Sequence, residues 1–253
     1  MINRQLGLIG YPLSHSFSKK YFSKKFLEEK IEGYHYELYP IPTIADIKDL
    51  IVSQENLFGL NVTIPYKQQV LPFLNEISEE AAAIGAVNTI KIKNGQLKGF
   101  NTDVYGFEIS LRKLLASVKR PFTEMNALIL GTGGASKAVA YVLDKLEIKY
   151  QLVSRNAGEG RIAYQEIDKE CLQSHQLLVN TTPLGTAPNV NTMPNLPYQH
   201  LTSEHFLYDL VYNPKVTKFL KMGLNCGAAT MNGLEMLHLQ AEKAWRIWTD
   251  NSL

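Results

Sequence analysis

Ala127-Leu-Ile-Leu-Gly-Thr-Gly-Gly-Ala-Ser-Lys-Ala-Val-Ala-Tyr-Val-Leu143 is the stretch that decides the fold of this chain. Its first four residues are apolar and predict a buried strand, glycines follow at 131, 133 and 134, and a helix-compatible run begins at Ala135. Glycines at a strand-to-helix turn let the backbone bend sharply and approach a ligand. The first N–H groups of the helix lack intrahelical acceptors and favour an anion such as a pyrophosphate. The third fingerprint position, ordinarily Gly or Ala, is Ser136. A tight turn in a phosphate-free α/β domain is the plainer alternative. The readable strand and helix on either side supply the context that a dinucleotide site requires.

Outward from this turn the same alternation continues. Downstream, residues 150–154, 176–180 and 205–209 read as strands, 215–222 as a helix, and 183–200 as a loop too long for a simple connector. Gly233 opens a last helix in which Leu234, Leu237, Ala241, Ala244, Trp245 and Trp248 keep helical spacing. Upstream, 6–9, 34–38 and 57–62 read as strands separated by helical segments at 17–26 and 43–52. Residues 77–86 read as a helix, and 87–100 form a hairpin about Asn94-Gly95. A helix over 104–115 leads to the glycine turn. The expected fold class is α/β, with strand–helix alternation in both halves.

Composition excludes several function classes. With 253 residues, 45% of them apolar and 20% charged, the chain can bury a core and has neither a disordered nor a membrane composition. A net charge of +2 gives no reason to expect nucleic acid or an acidic membrane as partner, and Lys19, Lys20, Lys24 and Lys25 read as a solvated helix face. Cysteine occurs only at 171 and 226, without metal-ligand spacing or a disulfide framework, so no metal and a reducing compartment are expected. The first ten residues lack the features of a signal peptide, and no apolar run reaches the length of a spanning helix. The expectation is therefore a cytoplasmic location.

Candidate chemistry sits at the strand ends. A carboxylate at the end of the second strand of a dinucleotide unit would bind the adenosine 2′-hydroxyl of NAD. Here that end is Ser154-Arg155, which suits a 2′-phosphate and favours NADP. Ser14 and Ser16, two apart, can point both hydroxyls at a carboxylate or polyol, although helix capping is the commoner use of such a pair. Asn61, Thr63, Lys67, Asn88, Thr102 and Asp103 concentrate at successive strand ends and turns, where open α/β sheets place ligands. Lys67 and Asp103 can serve as an acid/base pair for ketone reduction, or form an ordinary ion pair. Tyr212 can donate to substrate or fill a core, and Gln240 shares a helix face with Gly233, Leu237 and Ala244.

Taken together, these segments resemble the shikimate dehydrogenase family over nearly the whole chain. The matching motifs are Pro12-Leu-Ser-His-Ser16, Asn61-Val-Thr-Ile-Pro-Tyr-Lys67, Gly85-Ala-Val-Asn-Thr89, Gly99-Phe-Asn-Thr-Asp103, Gly131-Thr-Gly-Gly-Ala-Ser136, Asn180-Thr-Thr-Pro183 and Asn232-Gly-Leu-Glu-Met236. The resemblance implies reversible NADPH-dependent reduction of 3-dehydroshikimate to shikimate. It implies a substrate domain over 1–103, joined by 233–253, and a Rossmann-type NADP domain over 104–232. Ser14, Ser16, Asn61, Thr63, Lys67, Asn88, Asp103, Tyr212 and Gln240 would surround the substrate, with Lys67 and Asp103 catalytic. Gly131, Gly133, Gly134, Ala135, Ser154, Arg155, Thr181, Leu210 and Gly233 would hold NADP. The expected assembly is a monomer or homodimer. Many NADP-using relatives carry a further basic residue shortly after the second-strand arginine. This chain has Gly158-Glu159-Gly160 there, with Arg161 as a substitute. An NAD-using quinate/shikimate dehydrogenase and a non-catalytic shikimate or nucleotide sensor are the rival readings.

Overall fold

The computed structural model describes residues 3–13, 16–119 and 121–250. The chain divides into two compact units, Met1–Thr102 with Ala241–Leu253, and Asp103–Gln240. In the first unit β1 (Arg4–Gly10), α1 (Phe17–Glu28), β2 (Tyr34–Pro40), α2 (Ile47–Ser53) and β3 (Leu57–Val62) alternate. Then come α3 (Tyr66–Gln69), β4 (Glu76–Ile77), α4 (Glu79–Ile84), β5 (Thr89–Lys93) and β6 (Gln96–Phe100). The sheet order is β2-β1-β3-β5-β6-β4, with β2, β1 and β3 parallel and β5 antiparallel to both its neighbours. Asn94 and Gly95 both take positive φ, 52° and 74°, the backbone of a tight hairpin turn between β5 and β6.

The second unit contains α5 (Asp103–Leu114), β7 (Asn126–Leu130), α6 (Gly134–Lys145), β8 (Lys149–Ser154) and β9 (Arg161–Ala163). It continues with α7 (Lys169–Ser174), β10 (Leu177–Asn180), β11 (Phe206–Asp209), α8 (Lys218–Asn225) and β12 (Ala229–Asn232). Its sheet runs β12-β11-β10-β7-β8-β9, and every pairing is parallel. Numbered from β7, this is the 3-2-1-4-5-6 order of dinucleotide-binding sheets, and the order reverses between β7 and β10. Helix α9 (Leu234–Thr249) belongs to the second unit as far as Gln240 and to the first from Ala241 onward.

Strand alternation sorts the first unit's core onto two faces of its sheet. Ile9, Leu60, Val62, Val70 and Ile90 form one cluster, while Leu6, Leu8, Phe22, Phe26 and Tyr36 form the other with Ala241, Ala244 and Trp248. Trp248 is fully buried and donates its indole N–H to the Ile90 carbonyl at 2.9 Å. It needs Gly59 beneath it, because a Cβ there would lie 2.3 Å from the indole nitrogen. Lys91, also buried, donates Nζ to the carbonyls of Ile247 (3.0 Å) and Asp250, satisfying acceptors at the end of α9. In the second unit Leu128, Leu130, Val153, Leu178, Leu207 and Phe219 make the central cluster.

Several elements differ from the sequence reading. The helix expected over 77–86 is a two-residue strand followed by the six-residue α4, started by Ser78, whose side chain accepts from the Ala81 N–H. The helix expected over 215–222 begins later, at Lys218, because Thr217 is its N-cap and accepts from the Leu220 N–H. Strands β9 and β12 carry no periodic signal. No helix among the described residues is long and apolar enough to cross a membrane.

Candidate active site

In the second unit the glycine turn leaves β7 with Gly131 at φ +114°, a conformation that side chains other than hydrogen rarely adopt. A Cβ at Gly131 would also lie 2.7 Å from the Thr181 hydroxyl oxygen. At Gly133 and Gly134, by contrast, a Cβ would meet nothing within 4 Å, so the backbone in front of α6 faces open space. Ser136 fits the third fingerprint position because it is buried and turns its hydroxyl onto the Gly133 carbonyl at 2.6 Å.

A cavity of about 560 Å³ lies at these strand ends. Its lining includes Gly131 and Thr132 after β7, Ser154 to Asn156 after β8, Arg161 and Tyr164, and Thr182 to Leu184 after β10. Neither Arg155 nor Arg161 has an acidic partner among the described residues. Ser154 donates its hydroxyl hydrogen to the Asn156 carbonyl, so that donor is already spent inside the loop. Thr181, expected at the cofactor, directs both its N–H and its hydroxyl to the Leu130 carbonyl at 2.9 Å and braces β7 against β10. Tyr164 carries a buried hydroxyl with no hydrogen-bond partner among the described residues. The open glycine turn, the two unpaired guanidinium groups and the absence of a carboxylate at the end of β8 fit the adenosine side of a dinucleotide bearing a 2′-phosphate.

Further along the same sheet, Asp209 at the end of β11 is fully buried. It accepts from Asn180 Nδ2 (2.9 Å), the Val211 N–H (3.0 Å) and the Thr217 hydroxyl (2.5 Å). Burial outweighs those three donors and pushes its carboxyl up to about 6. The next residue, Leu210, touches Gly233 so closely that a Cβ at 233 would lie 2.1 Å from the Leu210 carbonyl oxygen. Glycine is therefore required where the loop after β11 meets the start of α9. Tyr212 is 40% exposed. Gln240 is buried and donates Nε2 to the Leu237 carbonyl at 3.0 Å. Asp103 is the first residue of α5, where the helix N-terminus stabilises a carboxylate.

In the first unit, a buried polar network joins the ends of β3, β5 and β6. Asn61 accepts from Tyr36 (2.7 Å) and donates to the Asn88 carbonyl and the Thr89 hydroxyl. Its amide is thus engaged by protein on both sides, which makes it a brace for the strand ends. Asn88 differs. Its Oδ1 accepts from the Thr102 N–H (2.8 Å) and from the hydroxyls of Thr102 and Thr89, while its Nδ2 has no partner among the described residues. Thr63 bonds its N–H to Ile9 and packs its methyl where a side chain on Gly10 would stand. Lys67, half-buried on α3, is anchored by its carbonyl, which accepts from the Val87 N–H at 2.8 Å. Pro65 sits at the N-cap of α3. Ser16 is the N-cap of α1 and accepts from the Lys19 N–H at 3.2 Å, the capping use noted for it, and Ser14 lies outside the described residues.

Thr132, Asn156, Tyr164, Thr182, Pro183 and Leu184 line the cavity without having been singled out in the sequence. The motif at 180–183 is the signal for the last group, because it names the end of the strand beside β7.

A parallel sheet in this order, with a glycine turn and a cationic cavity at its reversal, defines a dinucleotide-dependent oxidoreductase. The same chain carries a second α/β unit whose strand ends hold buried amides and hydroxyls. The family model described as the shikimate dehydrogenase substrate binding domain matches residues 8–90. A shikimate dehydrogenase (NADP(+)) from Clostridium beijerinckii is 40% identical over 98% of this chain and 92% of its own length. Among solved structures, shikimate 5-dehydrogenase from Thermus thermophilus, in complex with NADP(H) and shikimate, superposes with a TM-score of 0.82 at 31% identity, covering 97% of this chain and 93% of that one. Quinate dehydrogenase from Corynebacterium glutamicum, in complex with NAD, gives 0.85 at 30% identity, covering 98% and 94%. The chain belongs to the shikimate dehydrogenase family.

Proposed function

We propose that this chain catalyses the reversible NADPH-dependent reduction of 3-dehydroshikimate to shikimate, a step of the route to chorismate and the aromatic amino acids. The observation that carries this reading is the near-full-length likeness to a shikimate dehydrogenase (NADP(+)), with the motif residues at strand ends and turns in both units. Reduced NADP supplies the hydride when bound. The residues of the chain supply the proton and the orientation.

Lys67 donates a proton to the oxygen of the C3 carbonyl as the carbon accepts hydride, and takes it back in the reverse direction. Asp103 accepts a hydrogen bond from the substrate hydroxyl. Asn88 Nδ2 and the Thr63 hydroxyl donate to ring oxygens. Capping and substrate binding are compatible at Ser16: its oxygen accepts from the Lys19 N–H, and its own O–H remains to donate to a carboxylate, with Ser14 as the second hydroxyl. Gln240 and Tyr212 complete the substrate contacts, and Leu210 and Gly233 lie by the nicotinamide.

Lys67→Ala should lower kcat by about 10²–10⁴-fold, the usual size of a general-acid contribution, while shikimate still binds. Near-wild-type turnover would remove Lys67 from the mechanism. The likeness to an NAD-bound quinate dehydrogenase favours a second reading, but Ser154-Arg155 offers no carboxylate to a free 2′-hydroxyl. Comparing kcat/KM for shikimate and quinate with NADP and NAD separates the two. Cys171 and Cys226 are both free thiols, in keeping with action in the cytoplasm.

A further inference from the structure

We propose that Asp209 is a positioning residue for hydride transfer, which grips the segment 210–216 at both ends and so fixes where Leu210 and Gly233 hold the nicotinamide. The inference rests on the reading that places those two residues by the nicotinamide, and adds the side chain that sets them. Asp209 ends β11 and pairs across the ladder with Asn232, the last residue of β12. Its Oδ1 accepts from Asn180 Nδ2 at the end of β10 and from the N–H of Val211, two residues on, an Asx turn that swings the chain out of the strand. Its Oδ2 accepts from the hydroxyl of Thr217, the residue that caps α8. One fully buried carboxylate thereby holds the start and the finish of the segment that carries Leu210 and Tyr212.

The Val211 peptide passes this hold onward. Its N–H is taken by Asp209, and its carbonyl accepts from the Gly233 N–H at 3.2 Å, just beyond the end of the β11–β12 ladder. Gly233 packs on the Leu210 carbonyl with no room for a Cβ, so a shift of the segment is transmitted to the start of α9 and not absorbed by a gap. A second tie, from Asn232 Nδ2 to the Lys215 carbonyl at 2.8 Å, joins the same two stretches further along. Asp209 has no cationic partner among the described residues, so its part is that of three acceptor contacts and not of an ion pair. Hydride transfer depends steeply on placement, and a displacement of about 1 Å costs on the order of 10²-fold in rate.

Kinetics on the full chain, with calorimetric titration of NADP and of 2′,5′-ADP, tests this, because 2′,5′-ADP lacks the nicotinamide end. Asp209→Ala should weaken NADP and lower kcat at saturating NADP by about 10–10²-fold, while 2′,5′-ADP binds within about twofold of wild type. Asp209→Asn should recover most of that loss, because its carbonyl oxygen still accepts from Val211 and Asn180 and its amide can donate to a rotated Thr217 hydroxyl. Thr217→Val releases only the far end of the segment and orphans fewer buried groups than Asp209→Ala. It should lower kcat by a smaller factor, again without weakening 2′,5′-ADP, and Thr217→Ser should restore it. That second pair keeps the test decisive where Asp209→Ala does not fold. Equal weakening of NADP and 2′,5′-ADP, or unchanged kcat in Thr217→Val, would make Asp209 a purely structural residue and overturn the inference with the cofactor reading intact. In the wild type, NADP should slow amide exchange at Leu210 and Gly233 and 2′,5′-ADP should not. Equal slowing by both would remove these residues from the nicotinamide end and overturn the underlying placement as well.

Discussion

Asp209 shows how a single side chain ties the cofactor half together. Its carboxylate ties the end of β10 to the segment between β11 and α8 by accepting from Asn180, Val211 and Thr217, yet its complete burial raises its carboxyl from 3.8 to about 6. The folded protein therefore holds this proton more tightly than the unfolded chain does. The associated stability is fully present below 3.8 and is lost as pH rises through about 6. Asp209→Asn should flatten the stability profile across that window, removing a slope on the order of 1–3 kcal/mol. Urea denaturation at several pH values measures it, and an unchanged slope in the variant would assign the effect to another group. Residue types at the strand ends were legible in the sequence, since a polar residue there is conspicuous. Their partners were not. Asn61 and Asn88 read alike, and only the fold shows that Asn61 is bonded on both sides while Asn88 keeps an amide donor. Likewise nothing in the sequence reveals that Ser154 gives its proton to a neighbouring carbonyl.

The β7–α6 turn was readable because everything it needs is local: an apolar strand, three glycines and a helical run. Gly131→Ala tests the strictest of these positions. The variant must carry a side chain at φ +114° and push against Thr181, so stability should fall by about 1–3 kcal/mol and NADP affinity with it. Equilibrium unfolding and a cofactor titration would record both losses, and a variant as stable as wild type would show that the turn can relax. Elements defined by long-range pairing were not readable. β9 has three residues and owes its existence to β8, and β12, Ala-Thr-Met-Asn, has too little apolar alternation to announce a strand. The start of α8 was misplaced because Lys215 and Val216 resemble helix residues, whereas the cap that starts the helix is Thr217. Helix limits follow capping chemistry more closely than composition.

For the molecule as a whole, the order of strands in the second sheet turns a list of polar residues into a site, because it gathers the ends of β7, β8 and β10 around one cavity. Two α/β sheets were foreseeable from repeated alternation. The resemblance set the limits after residues 103 and 232, and the units divide after Thr102 and Gln240, the second limit falling where α9 begins to pack on the aromatic cluster. A chain ended after Gln240 loses Ala241, Ala244 and Trp248 from the aromatic cluster and leaves the space over Gly59 empty. Limited proteolysis of that fragment should digest the strands of the first unit and spare 103–240. Equal resistance of both would mean that the first unit stands without its last helix. The same arrangement has a consequence during synthesis. Domains generally fold as they leave the ribosome, N-terminal first. Here residues 1–102 emerge with Phe22, Phe26 and Tyr36 still lacking the tryptophan of α9 that packs on them, whereas residues 103–240 form one contiguous unit. The half of the protein that is translated first is the half that finishes last.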